Sequence, residues 1–283
     1  LGWRLFEDRT MPHIAAQDGT KLYYKDWGAG APVVLVHGWP VNADMWESQA
    51  VFLANQGLRV ISYDRRGFGR SDQPWEGYDY DTMAGDLAAV MDQLDLQKAT
   101  LVGFSMGGGE VARYLGKHGS ARVARAALVS AVTPYLLQTD DNPEGVPQSV
   151  FDGMYDGVRK DRAQFMIDFA GPFFGNGLLD KKVSDGVLQS TLMMAMQGSP
   201  RATLECIRAF SETDFRADLK SVTVPLLVVH GTADKTVPPE HSARRIKALV
   251  PSSTLIEYDG EAHGLTTTAA DRLNQDLLNF ITG

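Results

Sequence analysis

A single cysteine, Cys206, stands in the whole sequence, so no intrachain disulfide is possible. That removes the disulfide argument for an oxidising compartment without establishing a cytosolic one. Its surroundings, TLECIRAF, follow a helical pattern, and the thiol is expected to be buried and structural. No apolar run approaches the roughly 18–20 residues of a membrane-spanning helix. The opening LGWRLFEDRT lacks the long apolar stretch of a secretory signal. Basic runs are missing too, and the formal net charge is −8. A surface that tracks phosphates needs clustered Lys and Arg, so nucleic acid is not the expected partner. Together these absences point to a cytoplasmic protein acting on small molecules, with neither membrane nor nucleic acid as partner. Met11 begins MPHIAAQDGTKLYY, which reads as a natural start, so residues 1–10 are expected to be a cloning remnant or an upstream-start extension.

What is present is ordinary for a globular protein: 44% hydrophobic and 22% charged residues in a chain of 283. That length holds one large α/β domain or two small ones, and a core of this size needs no disulfide or metal. Short apolar runs rich in Val, Leu and Ile occur at 31–38, 59–64, 99–104, 124–132 and 224–231. They read as strands buried on both faces, as in a parallel sheet. KLYYKDWG (21–28) alternates and predicts an antiparallel strand; 253–260 is a half-polar strand. Helix patterns lie between them at 81–94, 105–117, 238–250 and 265–281. This alternation predicts a doubly wound, mostly parallel α/β sheet with its site at the carboxyl ends of the strands. From 133 to 220 there is no buried-strand run, only amphipathic and loop-like pieces. The division expected is a core of 11–132 and 221–283 with a helical cap of 133–220 inserted in it.

Chemistry concentrates in TLVGFSMGGGE (100–110), where Gly103-x-Ser105-x-Gly107 falls at the change from strand to helix. A serine on such a turn must take a strained backbone, and small neighbours leave its hydroxyl exposed. The helix start beneath it offers unpaired N–H groups and a positive dipole end. A serine nucleophile needs a base. Of six histidines, His13 precedes the sheet and His118 sits a helix length from Ser105. His241 is expected at the surface, and His37 and His230 end buried strands, where a satisfied structural imidazole is the simpler reading. His263, in the turn YDGEAHGLT after the last strand, is the candidate base. Asp234, in the loop after the 224–230 run, is the candidate acid. Asp259 competes with it but is too close in sequence for an easy reach to the ring. The order Ser105, Asp234, His263 is that of the α/β-hydrolase triad. Oxyanion donors are expected from the Met106 N–H and, through the close approach Gly38 allows, the Trp39 N–H. Trp39, Phe104 and Met106 are the candidate substrate-pocket residues. The loop YDRRGFGRSDQP lacks P-loop spacing and is expected to satisfy its charges locally.

HGWP, DRRGFGRSD, GFSMGGGE, HGTADKTVP and AHG together resemble the α/β-hydrolase superfamily. More closely, the chain from Met11 onward is similar to its bacterial cofactor-free (non-haem) haloperoxidase, arylesterase and γ-lactamase branch. The resemblance implies a triad of Ser105, Asp234 and His263, with Trp39 and Met106 as oxyanion donors and neither metal nor haem. It implies an esterase working on small carboxylic esters through an acyl-enzyme, with a perhydrolase side reaction that accounts for halide oxidation. Trimers or dimers of trimers are common in that branch. Dehalogenases and epoxide hydrolases of this fold carry Asp where Ser105 stands, which disfavours an alkyl-enzyme. γ-Lactamase or amidase activity and serine-dependent carbon–carbon bond hydrolysis remain open. A catalytically silent ligand receptor on this fold would usually lack part of the triad.

Overall fold

The computed structural model describes residues 11–177 and 180–283; the expected N-terminal extension at 1–10 lies outside the described residues. Eight strands form one sheet: β1 (His13–Ala15), β2 (Lys21–Gly28), β3 (Pro32–Val36), β4 (Arg59–Tyr63), β5 (Ala99–Phe104), β6 (Val123–Val129), β7 (Leu226–Gly231) and β8 (Thr254–Tyr258). Their spatial order is β1-β2-β4-β3-β5-β6-β7-β8. β2 pairs antiparallel with β1 and β4, and every other pair is parallel. His13 therefore lies within an edge strand rather than ahead of the sheet.

The helices explain why the parallel strands read as continuous apolar runs. Before β6 come α1 (Glu47–Asn55), α2 (Tyr80–Gln93) and α3 (Met106–His118), followed after β6 by α4 (Gln148–Lys160), α5 (Arg162–Phe174), α6 (Asp185–Met196), α7 (Pro200–Glu212) and α8 (Arg216–Lys220). The last three are α9 (Ala243–Leu249), α10 (Leu265–Thr268) and α11 (Ala270–Thr282). Val33 and Leu35 of β3 join one core with Leu53 of α1 and Leu273 and Leu277 of α11. Val34 and Val36 join the other, with Leu87 of α2, Val111 of α3 and Ile246 of α9. Alternate residues of a strand face opposite sides of the sheet, so a strand covered on both must be apolar throughout.

Two expected helices are shorter. The 238–250 segment is helical only over Ala243–Leu249, because two prolines set successive turns, with His241 and Ser242 donating to the Pro238 and Pro239 carbonyls. The 265–281 segment breaks at Ala269, whose φ of −123° leaves the helical region. Helix α1 carries no clean apolar stripe in the sequence, since it buries Gln49 and exposes Val51.

β3 lies between β4 and β5, so the chain reverses its winding direction there. Ligand sites of open α/β sheets lie at such switch points, beyond the carboxyl ends of the strands. The loops after β3 and β5 meet there, and a buried polar group ties them. Arg65 donates through Nε to Glu110 of α3 at 2.7 Å, through Nη2 to the His37 carbonyl at 2.8 Å, and through its backbone N–H to His37 Nε2 at 2.9 Å. Tyr63 donates its hydroxyl to the same Glu110. Burial and the Arg65 charge push His37 well below the usual imidazole range, which leaves Nε2 free to accept. The 64–72 loop is thus only partly self-contained. Asp64 takes Arg70 at 2.7 Å, but Arg65 reaches α3 and Arg66 reaches Asp86 of α2 at 2.6 Å. Long guanidinium arms span elements that a sequence window does not bring together.

Removing one partner of a buried ion pair strands the other charge away from water. Glu110 and Arg65 have fully buried side chains. Glu110→Ala is expected to cost about 3–5 kcal/mol of stability, read as a lower denaturant midpoint at unchanged slope. A cost below about 1 kcal/mol, the level of a surface pair, would contradict that accounting.

Candidate active site

Ser105 occupies the bend between β5 and α3 with φ 52° and ψ −117°, a conformation costly for any residue with a side chain. The bend leaves no room beside it. A Cβ on Gly103 would lie 2.4 Å from the Gly107 carbonyl oxygen, and one on Gly107 would lie 2.3 Å from that of Val36. Both glycines are required by contact. Gly108 packs similarly onto Ala131 after β6, whereas Gly109 meets Phe215 and Tyr80.

The structure brings Ser105, His263 and Asp234 together from three different loops. His263 Nε2 lies 2.9 Å from Ser105 Oγ, and its Nδ1 lies 2.7 Å from Asp234 Oδ2. All three are buried, with Ser105 6% exposed. The His263 ring packs against Phe104 and Phe173 at centroid distances of 5.0 and 5.1 Å, which limits its rotation. The loop is anchored on both sides: Ser130 Oγ donates to the His263 carbonyl, and the Gly264 N–H donates to the Phe173 carbonyl. Asp234 Oδ1 accepts the N–H groups of Thr236 and Val237 at 2.9 and 2.8 Å. Burial would raise the Asp234 carboxyl, but the His263 and His230 rings beside it outweigh burial and hold it well below the usual carboxylate range. Asp259 is exposed and takes a bond from Thr232, so it stands apart from the group.

Gly38 approaches the elbow closely, since a Cβ there would lie 3.2 Å from Ser105 Cβ. The next residue, Trp39, precedes a cis peptide to Pro40. Met106 opens α3. Among the described residues, neither the Trp39 nor the Met106 backbone N–H donates to a protein acceptor. A carbonyl oxygen developing charge above Ser105 would meet both loops and the N-terminal end of α3.

A cavity of about 260 Å³ opens onto Ser105 and His263. Its walls are apolar: Trp39, Val132, Leu136, Phe151, Met154, Phe169, Phe210 and Val237 among them. Trp39 is fixed by its indole Nε1, which donates to the Thr203 carbonyl at 3.0 Å, and its ring meets Phe169 and Phe210 edge-on. Two expected pocket residues do not line this cavity. Phe104 is fully buried against Trp46 and Phe173 and presses on His263 from behind, because the strand's alternation turns it into the sheet core. Met106 points its side chain into the core as well, and its carbonyl accepts the Tyr80 hydroxyl. His241, expected at the surface, lines the cavity, where Nδ1 meets the Glu144 carbonyl. The aromatics of α5 and α7 were legible only as amphipathic helix, since their wall position depends on how those helices cross. His230 bonds the Val237 carbonyl through Nε2 at 2.8 Å, as a structural imidazole does, and the same nitrogen lies 3.1 Å from Asp234 Oδ2. Cys206 is buried, and burial pushes its thiol up to about 12, far from a nucleophile. Among the described residues, no group of three or more His, Cys, Asp or Glu is arranged to hold a metal ion, and no helix is long and apolar enough to cross a membrane.

Comparison with known proteins bears on the family and the fold. Residues 31–266 match the family described as alpha/beta hydrolase fold. A non-heme haloperoxidase of Rhodococcus erythropolis is 48% identical over 96% of this chain and 99% of its own. A bifunctional esterase/perhydrolase of Acinetobacter calcoaceticus is 44% identical over the same shares. The crystal structure of bromoperoxidase from Bacillus anthracis superposes with a TM-score of 0.91 at 44% identity, covering 96% of this chain and all of that one. The chain belongs to the α/β-hydrolase fold family, among its non-heme haloperoxidases and esterases.

Proposed function

We propose that the protein is a serine hydrolase of small carboxylic esters that works through an acyl-enzyme and passes the acyl group to hydrogen peroxide as well as to water. The observation that carries this reading is the unbroken line of contacts from Ser105 Oγ through His263 to Asp234, at 2.9 and 2.7 Å, opening on an apolar cavity. Ser105 Oγ attacks the ester carbonyl while His263 Nε2 takes its proton. Asp234 accepts the Nδ1 hydrogen, which selects the tautomer with a free Nε2 lone pair and stabilises the imidazolium that forms. The Trp39 and Met106 N–H groups hold the oxyanion, each worth about 3–4 kcal/mol in the transition state. His263 then protonates the departing alcohol, and water, deprotonated by the same ring, releases the acid.

Residues 133–220 act as one cap over this core, supplying the acyl wall through Leu136, Phe151, Met154, Phe169 and Phe210. With peroxide as acceptor, the acyl-enzyme yields a peracid and free Ser105. The peracid transfers one oxygen to halide, giving hypohalite and the carboxylic acid, which acylates Ser105 again with loss of water. The names of the haloperoxidase and esterase/perhydrolase relatives fit both halves of this scheme.

A panel of short-chain aryl esters, with and without peroxide and acetate, tests it. Halide oxidation should rise in proportion to added acetate and vanish in Ser105→Ala. Oxidation that is indifferent to carboxylate would rule out the peracid route.

A further inference from the structure

Asp234 serves two imidazoles. His263 Nδ1 approaches Oδ2 at 2.7 Å, and His230 Nε2 approaches the same oxygen at 3.1 Å. His230 Nε2 also lies 2.8 Å from the Val237 carbonyl. A carbonyl only accepts, so Nε2 carries the proton. The other ring nitrogen, Nδ1, is buried and has no partner among the described residues. The single Nε2 hydrogen is thus shared, directed at the Val237 carbonyl at 2.8 Å with Asp234 Oδ2 as its longer contact at 3.1 Å.

We infer that His230 is a positioning residue that shares Asp234 Oδ2 with His263, so limiting how strongly the acid stabilises the charged form of the base. The inference rests on the reading of Asp234 as the acid of a serine hydrolase. Oδ1 is already saturated by the Thr236 and Val237 N–H groups, leaving Oδ2 as the acceptor for both rings. Each donor draws on the same negative charge, so removing the His230 donor leaves more of it for the imidazolium of His263. The other ionisable groups near the pair are His241 and Lys235, which line the cavity onto which His263 opens, and those on the neighbouring strand and helix. Glu257, the register partner of His230 on β8, turns to Arg244 at 2.7 Å. On α9, which packs against β7, Arg245 is bound to Asn142 and Lys247 to the Ser253 carbonyl. Lys235 is exposed.

The sign of the effect separates this role from scaffolding. His230→Leu should move the acid limb of kcat/KM to higher pH by about half to one pH unit, and the titration of the His263 ring, followed by imidazole 15N resonances, should move with it. His230→Gln keeps a non-titrating N–H near the Nε2 position and should leave both where the wild type has them. If the leucine variant does not fold, His230→Asn, whose amide falls short of that position, carries the same expectation as leucine. A residue that merely supported the loop would let Asp234 drift from His263 and move the limb to lower pH or lower kcat uniformly. Either result, or equal profiles for leucine and glutamine, overturns the inference. Wild-type protein without ester hydrolysis would instead defeat the hydrolase reading, while the ring titration would still decide the role of His230.

Discussion

Ser105→Ala will lower kcat/KM for a short-chain ester by about 10⁴- to 10⁶-fold while leaving the thermal midpoint unchanged or raised. The rate loss follows from the geometry. Among the described residues no other hydroxyl is hydrogen-bonded to His263 Nε2, so nothing replaces the lost nucleophile. What survives is the oxyanion site and the cavity, which act on water attack alone. Alanine keeps the elbow's steric demands, since Gly103 and Gly107 still clear the turn. It also removes a buried hydroxyl from a strained position where function and stability compete. A loss of less than about tenfold, with the fold intact, would mean another group performs the attack.

Asp234→Asn is the second large effect, a fall in kcat of about 10⁴-fold. The two backbone N–H groups on Oδ1 require an acceptor there, so the asparagine oxygen must face Thr236 and Val237. Its NH₂ then faces His263 Nδ1, which has to accept. The ring's own hydrogen moves to Nε2 and points at Ser105 Oγ, the wrong tautomer for a base. The same NH₂ opposes the N–H of His230, so the variant should also be less stable. Acid stability supplies an independent check. The folded Asp234 carboxyl lies below its unfolded value of about 4. It therefore stabilises the wild type fully above that value, and the contribution is lost as pH falls through the folded value. The wild-type advantage over Asp234→Asn should shrink steadily as pH drops below about 4. An advantage independent of pH would mean that the Asp234 carboxyl titrates alike folded and unfolded, and one that grows as pH falls would mean that it is neutral in the folded protein.

How much of this was legible beforehand varied with the kind of signal. The buried strands could be read directly, because a strand covered on both faces must be apolar at every position. Ser105, Asp234 and His263 could be placed because each lies where a strand ends, and strand ends converge in a doubly wound sheet. Helix α1 was hidden because one of its buried residues is a glutamine that bonds the Thr266 carbonyl, a partner 217 residues away. Phe104 shows the limit of adjacency: being next to the nucleophile placed it one alternation away from the cavity. His241 and the cap aromatics entered the wall only through the crossing of helices whose angles no local pattern encodes. The link between His230 and Asp234 was available in principle, as two polar residues four apart around a strand end, but it reads equally as a capped turn.

The central claim is that Ser105 is the activated nucleophile. Wild-type protein treated with a fluorophosphonate, digested and mapped by mass spectrometry tests it most directly. The account predicts a single adduct on the peptide containing Ser105, and none in the Ser105→Ala variant. An unlabelled wild type, or an adduct confined to another residue, would contradict it.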